Sequence, residues 1–536
     1  MKSKSLMPDK FQTSLVLQGG GALAAYEAGV YAALYFWIKK DFEHDDNKNI
    51  FDIIAGTSGG AINAAIIVSH VQRRREEGFS ITDSWQGSIR KLLDFWNYTS
   101  STPDFTIWRP FYSFFWPLYR DENSWISVWN QWNAINNRIA TGEAARRYYT
   151  AKEFLYQGAP NVFSNPSTEY DDRFFDNFFI PTNIWQHYEN EGLRKSIQKY
   201  TDFPIATAYD GQGDKEKQPR LLIVGTDVRE GEAVTFDSYE KKGGGRRSEY
   251  GDYIKNGHGQ RPITYNEGIM VEHIIASSSV PVHYRYAMVP INYGQNLGDG
   301  TREFWDGGIL SNTPLRELIQ SHEDYWKGRN ANNIPDLKVY VVDIWPHKGG
   351  APLDHDGVVN RRYDLTFQEK TPHEEKIAYL IHDYIELAQT LIGKVPPSER
   401  DKILHQTGQS RHRNGDPRKY RELLLQKVRI TDVVRLERKL DLNEISFKWC
   451  DYSADTVTSM IKNGIEETLA KMSEVKINGN NKKNACNELK NFIKIIDDEK
   501  GNELLTDKLD TILNHTAASD LLIESAISTK RALDCG

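Results

Sequence analysis

Gly56-Thr57-Ser58-Gly59-Gly60 reads G-x-S-x-G and falls directly between a predicted strand and a predicted helix. In that setting the pattern makes a nucleophile elbow: small neighbours admit a strained turn, and the serine projects over a sheet edge at the positive end of a helix. Ser58 is therefore the candidate nucleophile, with Gly56 and Gly60 as the elbow glycines. So short a pattern also describes an ordinary Gly/Ser turn. Gln18-Gly19-Gly20-Gly21-Ala22 occupies another strand–helix junction, where consecutive glycines can aim several backbone N–H groups at one point and hold an oxyanion. Gly19-x-Gly21-x-x-Ala24 also fits a loose dinucleotide fingerprint, but the second strand ends in Ala55-Gly56 without the acidic residue that reading needs. A plain tight turn is the third reading. Asp306, in Phe304-Trp305-Asp306-Gly307-Gly308, would sit on a turn after an apolar approach, where loss of water raises a carboxylate's proton affinity and makes it a better base. Asp-Gly-Gly alone is a common turn, and Asp227 and Asp343 at predicted strand ends are further carboxylates of interest.

The elements that must position these groups can be read from apolar periodicity. Thr13–Leu17 and Phe51–Ala55 are short buried strands, each followed by a glycine-rich turn and an apolar helix, Ala22–Ile38 and Ala61–Val71. Two consecutive strand–turn–helix units imply an α/β fold with a parallel, helix-covered sheet. Further strands are expected at Arg220–Thr226, continuing into a hairpin through Arg229-Glu230-Gly231, and at Leu337–Asp343. A catalytic α/β domain is thus expected over 11–346, interrupted at about 100–190 by an aromatic-rich insertion. Residues 347–372 read as a linker, and 373–536 as a mainly helical accessory region.

Composition narrows the function classes. The 536 residues are 39% hydrophobic and 26% charged with a formal net charge of −7, so the chain can fill a large core but lacks the basic field of a nucleic-acid binder. Its three cysteines, Cys450, Cys486 and Cys535, form no disulfide framework and fit a reducing, cytoplasmic setting. No signal peptide or apolar spanning segment is legible. The spacing of His, Glu and Cys matches no metal motif, so the chemistry is expected to need neither metal nor cofactor. Trp125, Trp129 and Trp132 fall on one helical face within the insertion, suited either to core packing or to substrate contact. Basic loops at 241–247 and 411–421 could touch an anionic surface such as a membrane's, or simply be solvated.

The glycine loop, the serine turn and Asp306-Gly307-Gly308, in this order on the expected elements, resemble the patatin-like phospholipase family. Ala276-Ser277-Ser278-Ser279-Val280-Pro281 and Asn312-Thr313-Pro314 add to the resemblance, which covers about 11–346. It implies a three-layer α/β sandwich with a mostly parallel central sheet, and a lipid acyl hydrolase of phospholipase A or lysophospholipase type. On this resemblance Ser58 is the nucleophile, Asp306 the base and Gly19, Gly20, Gly21 and Ala22 the oxyanion loop, with a phospholipid or other acyl-ester lipid as substrate. Leu23-Ala24 stands where many members carry a basic residue and glycine, which leaves the participating amides open. Two rival readings remain: a Ser-His-Asp esterase using His322, His347 or His355, and a non-catalytic lipid- or nucleotide-binding module.

Overall fold

The structure, a computed structural model, describes residues 11–39, 47–101, 142–164, 188–210, 216–241, 243–250, 262–292, 300–329, 334–352, 354–411, 416–424, 428–441 and 443–477. The central sheet is built from β1 (Phe11–Leu17), β2 (Ile53–Thr57), β3 (Arg220–Asp227), β4 (Glu232–Asp237), β5 (Glu249–Tyr250), β6 (Ala287–Pro290), β7 (Thr301–Asp306), β8 (Asp336–Asp343) and β9 (Ile430–Glu437). Its main path runs β9-β8-β1-β2-β3-β4-β5, with β7 pairing β3 and β6 pairing β7. The five strands from β9 to β3 are mutually parallel, and the remaining pairings are antiparallel. This is the mostly parallel α/β sheet expected from the strand–turn–helix units.

Alternation along the strands divides the core into two layers. Leu15, Leu17, Ile54 and Ile223 face one cluster, together with helices α1 (Ala25–Lys39), α2 (Gly59–Glu76) and α3 (Ser88–Thr99). Val16, Ile53, Leu222 and Val341 face the other, where Leu315 and Leu318 of a later helix pack. Among the described residues before β8 there follow helices α4 (Gly142–Gln157), α5 (Glu191–Tyr200), α6 (Val271–Ser278) and α7 (Leu315–Arg329). β2 begins two residues later than the predicted strand, because Asp52 is already committed: its carboxylate accepts from Thr13 N at 2.9 Å and its own N–H donates to Thr13 O at 2.7 Å.

The chain beyond 346 departs from the expected linker and accessory region. Residues 355–367 form α8 (His355–Phe367), whose first turn is capped by the Asp354 carboxylate accepting from Gly357 N at 2.6 Å. After α9 (Pro372–Gly393), α10 (Pro397–Leu404) and α11 (Tyr420–Leu424), β9 joins the sheet beside β8, with Val434 opposite Tyr340. β9 covers a sheet edge that would otherwise present unpaired backbone, which explains why a lone strand late in the sequence joins the central sheet. α12 (Ala454–Ile477) then packs on α1 so closely that a Cβ at Gly29 would lie 2.0 Å from Ile461 O, and one at Gly464 2.2 Å from Tyr26 O. Among the described residues no helix is long and apolar enough to cross a membrane.

Candidate active site

The register of one strand brings the serine and the acid together. β2 and β7 meet end to end along the same edge of β3: Thr57, the last residue of β2, lies opposite Val224, and Asp306, the last of β7, lies opposite Gly225. Ser58 follows Thr57 at the start of α2 with a positive φ, φ 54° and ψ −121°, a backbone conformation few non-glycine residues adopt. The turn leaves no room for side chains beside it: a Cβ at Gly56 would be 2.3 Å from Gly60 O, and one at Gly60 2.6 Å from Leu17 O. The C-terminal end of α6 and the residue after it staple both groups. Ser58 N–H donates to Ser277 Oγ at 2.9 Å, Ser277 Oγ–H donates to Val224 O at 2.6 Å, and Asp306 N–H donates to Ser279 O at 2.9 Å.

Burial pushes the Asp306 carboxyl up to about 6, while hydrogen bonds from the Ser58 side chain and Gly308 N–H oppose the rise. The Gly308 bond is 2.7 Å long. The serine therefore meets a carboxylate directly, poised to change protonation near neutral pH. Thr226 Oγ1 donates to Asp306 O at 2.9 Å and fixes the strand end.

The glycine loop is only partly free. Gly19 N–H donates to Asn312 O at 3.1 Å and Gly19 O accepts from Trp345 Nε1 at 2.7 Å, so its amide is spent on structure. Ala22 sits buried in the short turn Gly21–Ala24 and does not line the cavity. Gly20 and Gly21 do line it, and among the described residues their N–H groups have no acceptor. Of the loop expected over 19–22, Gly20 and Gly21 are thus the residues whose N–H groups are unengaged beside the cavity. Behind it, Gln18 ties four elements together: its N–H donates to Glu27 at 2.6 Å, its Nε2 to Thr313 Oγ1 and Phe367 O, both at 3.0 Å, and its Oε1 accepts from Ile344 N at 2.8 Å. Glu27 is wholly buried, and desolvation raises its carboxyl well above the ordinary range.

These groups line an apolar cavity of about 360 Å³, within the range of small-molecule sites. A narrower space of about 40 Å³ also touches Ser58 and runs between Phe95, Trp96, Phe163, Tyr284 and Tyr452. Several wall residues, namely His283, Trp345, Arg362, Tyr363, Phe367 and Trp449, carry no local sequence signal. Four of them lie beyond 346 and reach the site only through long-range packing, so no local motif could announce them. Trp449 is placed by a buried ionic cluster in which Lys448 pairs with Asp364 at 2.5 Å and with Glu444, while Glu444 also pairs with Arg438.

The other sequence candidates lie elsewhere. His322 is buried on α7, where Nε2 bonds Pro335 O at 2.9 Å and burial pushes its pKa down to about 3. His347 pairs with Asp343 at 2.6 Å, and neither it nor His355 lines the cavity. Asp227 is paired with Arg302. In the basic loop at 241–247, Lys241 binds Asp237 at 2.6 Å and Arg246 donates to Ser238 O at 2.7 Å, so these two cations are turned inward. Trp125, Trp129 and Trp132 lie outside the described residues.

A family model of patatin-like phospholipases matches residues 15–319, more than half of the chain and every element that carries the serine, the acid and the glycine loop. Among solved structures, VipD from Legionella pneumophila is similar at 10% sequence identity with a TM-score of 0.23, over 97% of this chain and 86% of that one. No curated protein matches. The ordered glycine loop, serine elbow and Asp-Gly-Gly turn, found within the matched span, place the chain in the patatin-like phospholipase family.

Proposed function

We propose that the chain is a serine lipid acyl hydrolase of phospholipase A or lysophospholipase type, acting through Ser58 and Asp306. Family membership supports lipid acyl hydrolysis in general. The observation that carries the finer reading is the end-to-end meeting of β2 and β7 on β3, which sets the Ser58 hydroxyl against a buried carboxylate.

In the proposed cycle, the Asp306 carboxylate accepts the Ser58 proton as Oγ attacks the ester carbonyl. Gly20 and Gly21 N–H groups bind the developing oxyanion; such donors act most strongly where charge appears, each being worth about 2.7–4 kcal/mol of transition-state stabilisation. The tetrahedral intermediate collapses, Asp306 returns the proton to the leaving alkoxide, and an acyl-enzyme remains on Ser58. Asp306 next takes a proton from water, the resulting hydroxide attacks the acyl carbonyl, and Ser58 leaves with that proton as the fatty acid is released. The apolar cavity accommodates the acyl chain, and exposed Val282 and Ile309 at its wall, 65% and 43% accessible, suit a peripheral approach to a lipid surface. Hydrolysis of a short-chain nitrophenyl ester by wild type, Ser58→Ala and Asp306→Asn tests the reading: both variants are expected to lose activity while staying folded. A Ser58→Ala protein with undiminished rate refutes it.

A further inference from the structure

Arg362 stands apart from the other cations near the site. It lines the same cavity as Ser58 and Asp306, yet it is exposed to solvent, whereas Asp306 is only 6% accessible. The cavity therefore runs from a buried acid to an exposed cation, with mainly apolar walls between them. Among the described residues the Arg362 guanidinium has no ion pair and no side-chain hydrogen bond, and its one recorded neighbour is the Tyr363 ring at 5.3 Å. The adjacent arginine is different: Arg361 donates to Pro346 O at 3.0 Å and His347 O at 2.7 Å, locking the helix rather than facing the cavity.

The backbone beneath Arg362 is held firmly. Asp354 caps the start of α8, Asp364 pairs with buried Lys448, and Phe367 O at the end accepts from Gln18 and from Asn312 Nδ2, the latter at 2.7 Å. Tyr363 and Phe367 stack 6.2 Å apart at 14°, and Phe367 packs on Trp345 at 5.4 Å, forming one apolar wall below the guanidinium. An unpaired guanidinium on a rigid helix is a preorganised fork for an oxyanion, and its geometry matches phosphate better than an ammonium does.

The geometry points to Arg362 as the contact for the phosphodiester of a glycerophospholipid whose acyl ester lies at Ser58. This rests on the acyl-hydrolase reading above and extends it. The phosphodiester of such a lipid is a few bonds from the scissile ester, so an acyl chain laid along the apolar walls turns its anion toward the mouth. The headgroup contact then comes from α8, outside the span matched by the family model, so headgroup preference is set by the C-terminal part of this chain.

The test uses the full chain and two lipids that differ only at the headgroup, a short-chain diacylphosphatidylcholine and the matching diacylglycerol. The quantity read is the ratio of kcat/KM on the phospholipid to that on the diacylglycerol, for wild type, Arg362→Gln and Arg362→Lys. Loss of one charge-assisted contact is expected to lower the ratio about ten-fold or more in Arg362→Gln, with partial recovery in Arg362→Lys. An unchanged ratio in Arg362→Gln overturns the assignment. So does an unchanged ratio accompanied by Arg362-dependent inhibition by inorganic phosphate, which would mark a free-anion site instead. Failure of wild type to hydrolyse these two lipids, the matching lysophosphatidylcholine and the nitrophenyl ester overturns the acyl-hydrolase reading itself.

Discussion

Asp306→Asn separates the electrostatics of the site from its chemistry. Burial shifts the carboxyl from its ordinary 3.8 to about 6, so folding favours the protonated acid. A group whose pKa is raised by folding contributes most to stability below its unfolded pKa, and that contribution is lost as pH rises through the folded value. At 1.36 kcal/mol per pH unit the full loss is about 3 kcal/mol. Roughly half of it should be present by pH 5, and nearly all by pH 7. The amide keeps an oxygen for the Gly308 N–H but carries no charge, so its stability should not show this pH dependence. Urea unfolding of wild type and Asp306→Asn between pH 3.5 and 8 measures the difference directly. The variant should gain relative stability with rising pH until the curve flattens above about pH 7; any fixed offset from the substitution itself does not vary with pH. A flat difference curve would refute the claim that Asp306 is desolvated, and with it the argument that it serves as a tuned base. A stabilised variant that has lost ester hydrolysis is the expected pair of results, since active sites commonly hold groups at a cost to the fold.

The same shift predicts that kcat/KM for a neutral ester falls about ten-fold per pH unit below about 6, as Asp306 takes up a proton; a rate unchanged down to pH 4.5 would contradict it. Lys448→Met removes the ammonium shared by Asp364 and Glu444 in a buried cluster, and should destabilise the protein by about 3–5 kcal/mol in urea titrations; a loss under about 1 kcal/mol would show that the cluster does not hold the Trp449 segment. A chain ending at 346 lacks β9 and α12, exposing the β8 edge and the Gly29 face of α1, and is expected to aggregate on expression. A soluble, cooperatively folding truncation would show that these elements are dispensable.

The parts of the molecule legible in the sequence are those fixed by local rules. Two strand–turn–helix units could be read from apolar runs ending in glycine, because a buried parallel strand and a tight turn both leave short-range signatures. Ser58 and Asp306 were recognisable for the same reason: each lies on a turn whose small residues are required by contacts within a few ångströms. What was not legible depends on register and distant packing. Nothing near Gly19 indicates that Asn312 would take its N–H, and nothing local to Ala22 indicates that the turn Gly21–Ala24 would hold it away from the cavity. β9 alternates like many edge strands, but its place beside β8 is decided by an uncovered sheet edge almost a hundred residues earlier. Trp449 and Arg362 reach the cavity through the Lys448 cluster and the packing of α8, and neither has a sequence pattern of its own.

The central claim is that Ser58 is an activated nucleophile, and a fluorophosphonate probe followed by peptide mass spectrometry tests it most directly. A single adduct is expected, on Ser58, that disappears in Ser58→Ala and forms far more slowly in Asp306→Asn. An adduct on another residue, or none in a protein that hydrolyses esters, would contradict it.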